Sequence, residues 1–528
     1  MEEKTLAPKA DALTRSNADE FLKIAEQFRL GKLPTESTHP KTINLSADAK
    51  NNISKAISSI KDIDQDVFKT IKNNLSDLRF LQEKVASTLK NGYNIYLCGC
   101  GATGRLSLAL ETIWRHQHQN NSKLTGRIIS FMAGGDVALI HSVEKFEDFP
   151  EFGERQLLEL GFRPGDLLIS TTEGGETPFV IGATEAAARI SRNSPFFLYC
   201  NPDDILKETA LRSKNVIENP LIHKINLTVG PMALTGSTRM QATTILMYYV
   251  GLSLWFYDSN FSKIEDEVDD IILFIEKTNF NFLKAFIEKE SDIYKSGGYL
   301  LYETDPYLGI SILTDTTERS PTFSLYPFEN QKDSVKNPSL SYLYFKNSTT
   351  GQNAWRELLL REPRTFHWKE VTEQTSGDRL KGFDFSKNFP EKRKKYLDKD
   401  HHHFKIYYNP EKNVIRFELD NLDHTLRLEG LNFLSVHLVL KILMNNLSTI
   451  IMGRMGRYES NLMTWVRASN NKLVDRAVRY ATTLLEQKGI TVSYEDLVRA
   501  CFSLKDEIPR DQALVLKLVE QFSSEKQA

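Results

Sequence analysis

In the first half of the chain, short apolar runs alternate with longer stretches of helical periodicity. The runs are "YNIYLC" (93–98), "RIISFM" (127–132), "DLLIST" (166–171), "PFFLYC" (195–200) and "KINLTV" (224–229). Runs of this length, apolar throughout and separated by helical patterns such as 177–192, predict a parallel sheet covered on both faces. A charged stretch, "SKIEDEVDD" (262–270), opens a helical connection, after which "GGYLLYE" (297–303) begins a second strand-and-helix alternation. From 430 onward the pattern is helical, with "FLSVHLVLKILMNNLSTIIMGRMG" as one long amphipathic stretch. The chain therefore reads as α/β: an N-terminal segment (1–50), a doubly wound domain with a parallel sheet (51–260), a second domain of the same kind (261–435) and an all-helical C-terminal domain (436–528).

Composition narrows the function classes. The 528 residues contain 67 basic and 69 acidic side chains, 41% hydrophobic and 26% charged residues, which describes a soluble globular protein. No long basic block appears, which argues against a nucleic-acid partner. Cys98, Cys100, Cys200 and Cys501 are too few for a disulfide framework and read as reduced thiols. The N-terminus has no apolar leader and no run of about 18 apolar residues is present, so a cytoplasmic protein without a membrane partner is expected. "HHH" (401–403) has no second ligand cluster nearby and reads as an exposed loop rather than a metal site.

In a doubly wound sheet, ligands bind at the carboxyl edge of the strands. Three loops there are rich in glycines and hydroxyls. After the first strand comes Gly101-Ala102-Thr103-Gly104, after the third "STTEGGETP" (170–178) with Thr172, Glu173 and Gly174, and after the fifth "TGSTR" (235–239) with Ser237 and Thr238. Hydroxyls beside free backbone N–H groups at a helix N-terminus suit phosphate oxygens. Taken singly, Thr235 or Ser237 could cap the next helix and each glycine turn could be an ordinary connection. Three on one edge point to a ligand. The spacing Gly99-x-Gly101-x-x-Gly104 is also the dinucleotide fingerprint, but that would need an acidic residue about 20 positions on, and Asp136 lies further off. A compact phosphorylated metabolite is expected, with no cofactor and no metal.

At this point "GCGATGRL", "FMAGGDVALIHSVEKFEDFPEFG", "TPFVIGATEAA", "YCNPDD" and "VGPMALTGSTRMQA" resemble the sugar isomerase (SIS) domain of N-acetylmuramic acid 6-phosphate etherases and of glucokinase regulatory protein. "LPTESTHPKTINLS" (33–46) is similar to their N-terminal segment, and "LKILMNNLSTIIMGRMGRYESNLMTWVRASNNKLVDRAVR" to their C-terminal helices. The resemblance implies two SIS-type domains, the second degenerate and packed on the first about a pseudo-twofold axis, which is the layout of the regulatory protein. It also implies site residues. The etherase base matches Glu147. The etherase acid falls at Ile113 in the first repeat, with Glu111 two residues away, and is present in the second as Glu318 within "DTTE". The family's helix lysine falls at Met247 in the first repeat and returns as Lys441.

A composite site follows, with phosphate loops from the first repeat and Glu318 and Lys441 from the second. Glu147 as base and Glu318 as acid would suit β-elimination of lactate, since two carboxyls in unlike environments can divide those roles. Both would equally serve a non-catalytic site by holding sugar hydroxyls. The layout favours a sensor of a hexose or amino-sugar phosphate with a sugar kinase as protein partner; the alternative is an N-acetylmuramic acid 6-phosphate etherase, a carbon–oxygen lyase. Glu176 stands where the etherase has an arginine, adding negative charge beside a phosphate loop.

Overall fold

The computed structural model describes residues 17–141, 143 and 146–524. Residues 1–16 of the expected N-terminal segment, and Ser142, Glu144 and Lys145 of the quoted motif, lie outside the described residues. The five apolar runs form β1 (Ile95–Gly99), β2 (Ile128–Met132), β3 (Leu167–Thr171), β4 (Phe196–Tyr199) and β5 (His223–Asn226). They pair in parallel in the order β2-β1-β3-β4-β5. β1 and β3 are buried at every position, as strands with helices on both faces require.

A second sheet contains β6 (Tyr299–Thr304), β7 (Ser341–Phe345), β8 (His401–Asn409), β9 (Val414–Leu419) and β10 (Leu422–Arg427), in the order β10-β9-β8-β6-β7. This sheet is mixed, which corrects the expectation of a second parallel sheet. β7, β6 and β8 are parallel, but β8-β9-β10 is an antiparallel meander. Only four residues separate β8 from β9 and two separate β9 from β10, whereas a parallel crossover needs a dozen or more. Asn413 and Asp420 take the left-handed backbone that these tight turns demand. His401–His403 are consequently not a loop: they pair with Tyr299–Leu301 in the sheet.

Five helices position the site: α1 (Ala102–Gln117), α2 (Gln241–Trp255), α3 (Gly309–Phe323), α4 (Phe433–Arg454) and α5 (Asn471–Glu486). α4 departs from the expectation of an amphipathic stretch in a separate helical domain. Leu434 through Gly453 are all buried, and the helix packs on α2 from the first repeat and α3 from the second. It is long and apolar enough to span a bilayer, yet it lies wholly inside the protein. A helix apolar on all sides belongs in a core, and here that core joins the two repeats. α5 and the helices Tyr494–Leu504 and Leu514–Ser524 pack on one another as a C-terminal helical group.

The repeats are also clasped by charge. Arg361 and Arg364, from the segment after β7, reach across to Glu111 (3.1 and 2.8 Å) on α1, and Arg361 pairs with Asp136 (2.6 Å). Burial alone would raise the Glu111 carboxyl, but the arginines outweigh it and hold it far below its ordinary range. Glu111 is thereby committed to the clasp.

Candidate functional site

β1 ends at Gly99, where a Cβ would lie 2.3 Å from the carbonyl carbon of Thr103. Gly101 has φ +55°, and a Cβ at Gly104 would lie 2.5 Å from that of Met132 on β2. The three glycines thus permit a strand to turn into a helix that sits tightly on its own sheet. Thr103 serves the same turn. Its hydroxyl donates to the Cys100 carbonyl (2.9 Å) and accepts from the Cys100 N–H (3.0 Å). Both bonds hold the loop together.

The second repeat differs at the equivalent turn, "YETDPYLG". Here the Asp305 carboxylate accepts the N–H groups of Tyr307 (2.9 Å), Leu308 (3.2 Å) and Tyr408 (3.1 Å). Free amides at such a turn would otherwise attract an external anion. The chain's own carboxylate fills that place, which gives a physical meaning to the degenerate loop.

At the carboxyl edge of the first sheet lies a cavity of about 180 Å³. Its walls come from the first glycine loop (Gly101, Ala102), the loop after β3 (Glu173), the turn before α2 (Ser237, Thr238), and Glu147, closed by Glu318 of α3 and by Asn470, Lys472 and Arg476 from the C-terminal helices. Among the expected phosphate ligands, Thr103, Gly104, Thr172 and Gly174 do not line it. The Thr172 hydroxyl is bonded to that of Thr177 (3.0 Å), and the Gly174 carbonyl accepts from Asn201 (3.1 Å).

Glu147 and Glu318, expected from different repeats, do line the same cavity. Glu147 accepts from the Asn470 amide (2.6 Å) and from the Cys100 thiol (3.1 Å). Glu318 is ion-paired with Arg105 of α1 at 2.5 Å. Deeper, Arg239 binds Asp315 (3.0 Å), which is held in turn by Arg319, Asn445 and Ser448. Three buried polar atoms of the turn before α2, Thr235 Oγ1, Ser237 Oγ and Arg239 Nε, have no protein partner, and of these Ser237 and Arg239 line the cavity. Buried polar groups are normally satisfied, so both mark a place for something polar.

Lys441 lies behind the main cavity, in an adjoining chamber of about 40 Å³ that it shares with Met247, the position of the family lysine in the first repeat. Its ammonium donates to the Met240 carbonyl (2.6 Å) and to the Thr244 hydroxyl. Burial lowers its pKa, against the opposing pull of Asp64, whose own carboxyl burial raises. The two feel each other's charge, and neither lines the main cavity.

Sequence reasoning missed the cations that matter most. Lys472 keeps 26% of its side chain accessible and lines the cavity. Burial alone would lower its pKa, but Glu147 and then Glu176 outweigh it and hold the ammonium charged. Glu176 is therefore no uncompensated negative charge: Arg212 pairs with it at 2.6 Å, and Lys472 lies 3.6 Å away. Arg105 follows the first glycine loop directly, and its register one turn into α1 was the available signal; Lys472 had none beyond its place in a family-like segment.

A parallel doubly wound sheet with three ligand loops at one edge, closed by a glutamate from a second repeat, defines an SIS-type phosphosugar-binding protein. Residues 79–188 match the glucokinase regulatory protein N-terminal SIS domain. Over 221 residues the chain is 31% identical to the N-acetylmuramic acid 6-phosphate etherases of Salmonella agona and Salmonella typhimurium, covering 41% of this chain and 67% of theirs. The C-terminal domain of glucosamine-fructose-6-phosphate aminotransferase from Francisella tularensis matches with a TM-score of 0.40 at 12% identity, over 76% of this chain and 95% of that one. The chain belongs to the SIS-domain family that includes the glucokinase regulatory protein and the N-acetylmuramic acid 6-phosphate etherases.

Proposed function

We propose that the protein is a cytoplasmic sensor of a hexose or amino-sugar phosphate that reports to a protein partner, a sugar kinase. The observation that carries this reading is the origin of the cavity walls: first-repeat loops, Glu318 of α3 and the Asn470–Arg476 stretch of the C-terminal helices meet around one space. A ligand touching all three biases their mutual arrangement, which a partner can read as a population shift. In this reading Thr238, the amides of Gly101 and Ala102, and Lys472 receive the phosphate, while Glu147 and Glu318 hold sugar hydroxyls.

The second reading, an etherase, is favoured by the two glutamates lining the same cavity. One carboxylate would take the proton from C2 beside the open-chain aldehyde, the C3–O bond would break, and a carboxylic acid would protonate the departing lactate oxygen. Glu318 would first have to leave Arg105. Catalytic contacts often form only once substrate is bound.

Thermal unfolding with fructose 6-phosphate, glucose 6-phosphate and N-acetylmuramic acid 6-phosphate, together with an assay for released lactate, separates the two. A sensor is stabilised, by about 2.7 kcal/mol at 100 times the dissociation constant, and releases no lactate. Lactate release that Glu147→Gln abolishes would establish the etherase instead. Absence of stabilisation by every sugar phosphate would overturn both.

A further inference from the structure

Each cation lining the cavity faces a carboxylate, but two carboxyls there, Glu147 and Glu173, form no ion pair among the described residues. Arg105 has Glu318, Arg239 has Asp315, and Arg476 has Glu36 at 2.5 Å. Lys472 lies in the field of Glu147 and Glu176. Both oxygens of Glu147 are engaged by Asn470 and Cys100. Glu173 is different. It is 8% exposed and lines the cavity, and one of its oxygens accepts from the Thr243 hydroxyl at 3.0 Å. Among the described residues no lysine or arginine forms an ion pair with it.

A buried carboxyl without a cation is costly as an anion. Burial accordingly pushes Glu173 up to about 7, despite help from its own backbone amide and from Lys472; Glu318 pushes the same way. The Thr243 oxygen also lies 2.8 Å from the Thr238 carbonyl, and its one proton serves either that carbonyl or Glu173, so Thr243 places Glu173 beside the turn that presents the unpartnered Ser237 hydroxyl. A carboxyl lacking its cation and a hydroxyl lacking any partner thus share one part of the wall. An ammonium group has three donors and satisfies both.

Resting on the reading of this cavity as a sugar-phosphate site, we propose that Glu173, with the Ser237 hydroxyl, receives the ammonium of the ligand, which is a sugar phosphate bearing a free amine rather than an N-acylated or amine-free sugar. Such a ligand brings a phosphate for Lys472 and a cation for Glu173. Acetylation would remove that charge and leave Glu173 unmatched.

Isothermal titration of the full chain with glucosamine 6-phosphate, N-acetylglucosamine 6-phosphate and glucose 6-phosphate tests this. The amine should bind roughly 10- to 150-fold more tightly than the other two, the range for hydrogen bonds to charged groups. Glu173→Gln keeps the shape and removes the charge. It should erase the preference, bringing the three affinities together. Equal affinity of the wild-type protein for all three overturns the assignment alone, and this comparison needs no variant. A preference that survives in Glu173→Gln overturns it too. Binding of none of the three overturns the sugar-phosphate reading and the assignment with it.

Discussion

Replacing Lys472 by Met tests the phosphate end of the cavity. Methionine keeps the length of the stem and deletes the charge. If Lys472 meets a phosphate oxygen, its loss removes one charge-assisted hydrogen bond, about 1.5–3 kcal/mol, and affinity falls roughly 10- to 150-fold. The folded protein should notice far less. Breaking an isolated buried ion pair costs about 3–5 kcal/mol because an uncompensated charge stays behind. Here Glu176 keeps Arg212 at 2.6 Å, and its contact with Lys472 is the longer one at 3.6 Å. Glu147 likewise keeps Asn470 and Cys100. The expected signature is a large change in the titration of glucose 6-phosphate with a urea midpoint shifted by well under the value for an isolated pair. Unchanged affinity, or a stability loss of the full 3–5 kcal/mol with binding intact, would show that Lys472 is a structural ion and that the phosphate lies elsewhere.

Other outcomes follow from the same geometry. Thr103→Val should destabilise the protein by about 1–3 kcal/mol in urea, because the partly buried Cys100 N–H and C=O both lose their partner; a change in ligand affinity without any in stability would contradict the loop role given to that hydroxyl. Gly101→Ala should cost about 1–3 kcal/mol, because its Cβ meets open space but φ +55° with ψ −122° is a mirror-extended backbone that glycine alone adopts readily, whereas Gly99→Ala should abolish folding, since its Cβ meets backbone at 2.3 Å; soluble expression and thermal melts distinguish them. Burial would raise the Glu36 carboxyl, but Arg476 and Arg479 outweigh it and hold it down to about 2. Its contribution, about 3 kcal/mol at about 1.4 kcal/mol per pH unit, is therefore whole above about pH 4.3 and lost as the pH falls toward 2. Glu36→Gln should flatten the stability–pH curve between pH 5 and 2, and an unchanged slope would refute the assignment.

Much of the first repeat was legible because its signals are local. Five buried strands write themselves as apolar runs, and a glycine turn before a helix names a ligand edge without any long-range information. Glu318 was reachable through the "DTTE" patch. The meander β8–β10 was not, because its strands alternate apolar and polar positions over six to nine residues and no Asn-Gly or Asp-Gly marks the turns. The place of α4 was hidden for the opposite reason: periodicity cannot tell a stretch buried on every side from one with a polar face until its neighbours are known. Thr103 and Lys472 show the same limit at the site. A hydroxyl beside a glycine loop looks like a ligand whether it points outward or back at its own backbone, and a lysine far along the chain carries no sign of the cavity it will face.

The placement of α4 has a consequence for synthesis. The face of α2 that α4 covers belongs to residues 241–255, and the cover comes from residues 433–454. As the chain leaves the ribosome, close to two hundred residues are made between the first surface and the second. During that interval the first sheet can form, but one of its covering helices presents an apolar side to water, open to wrong partners and to chaperones. Truncations ending before residue 433 should therefore aggregate rather than yield a working first repeat, and nascent chains should gain protease resistance only once α4 has emerged. The earliest-made part of this protein waits for one of the last.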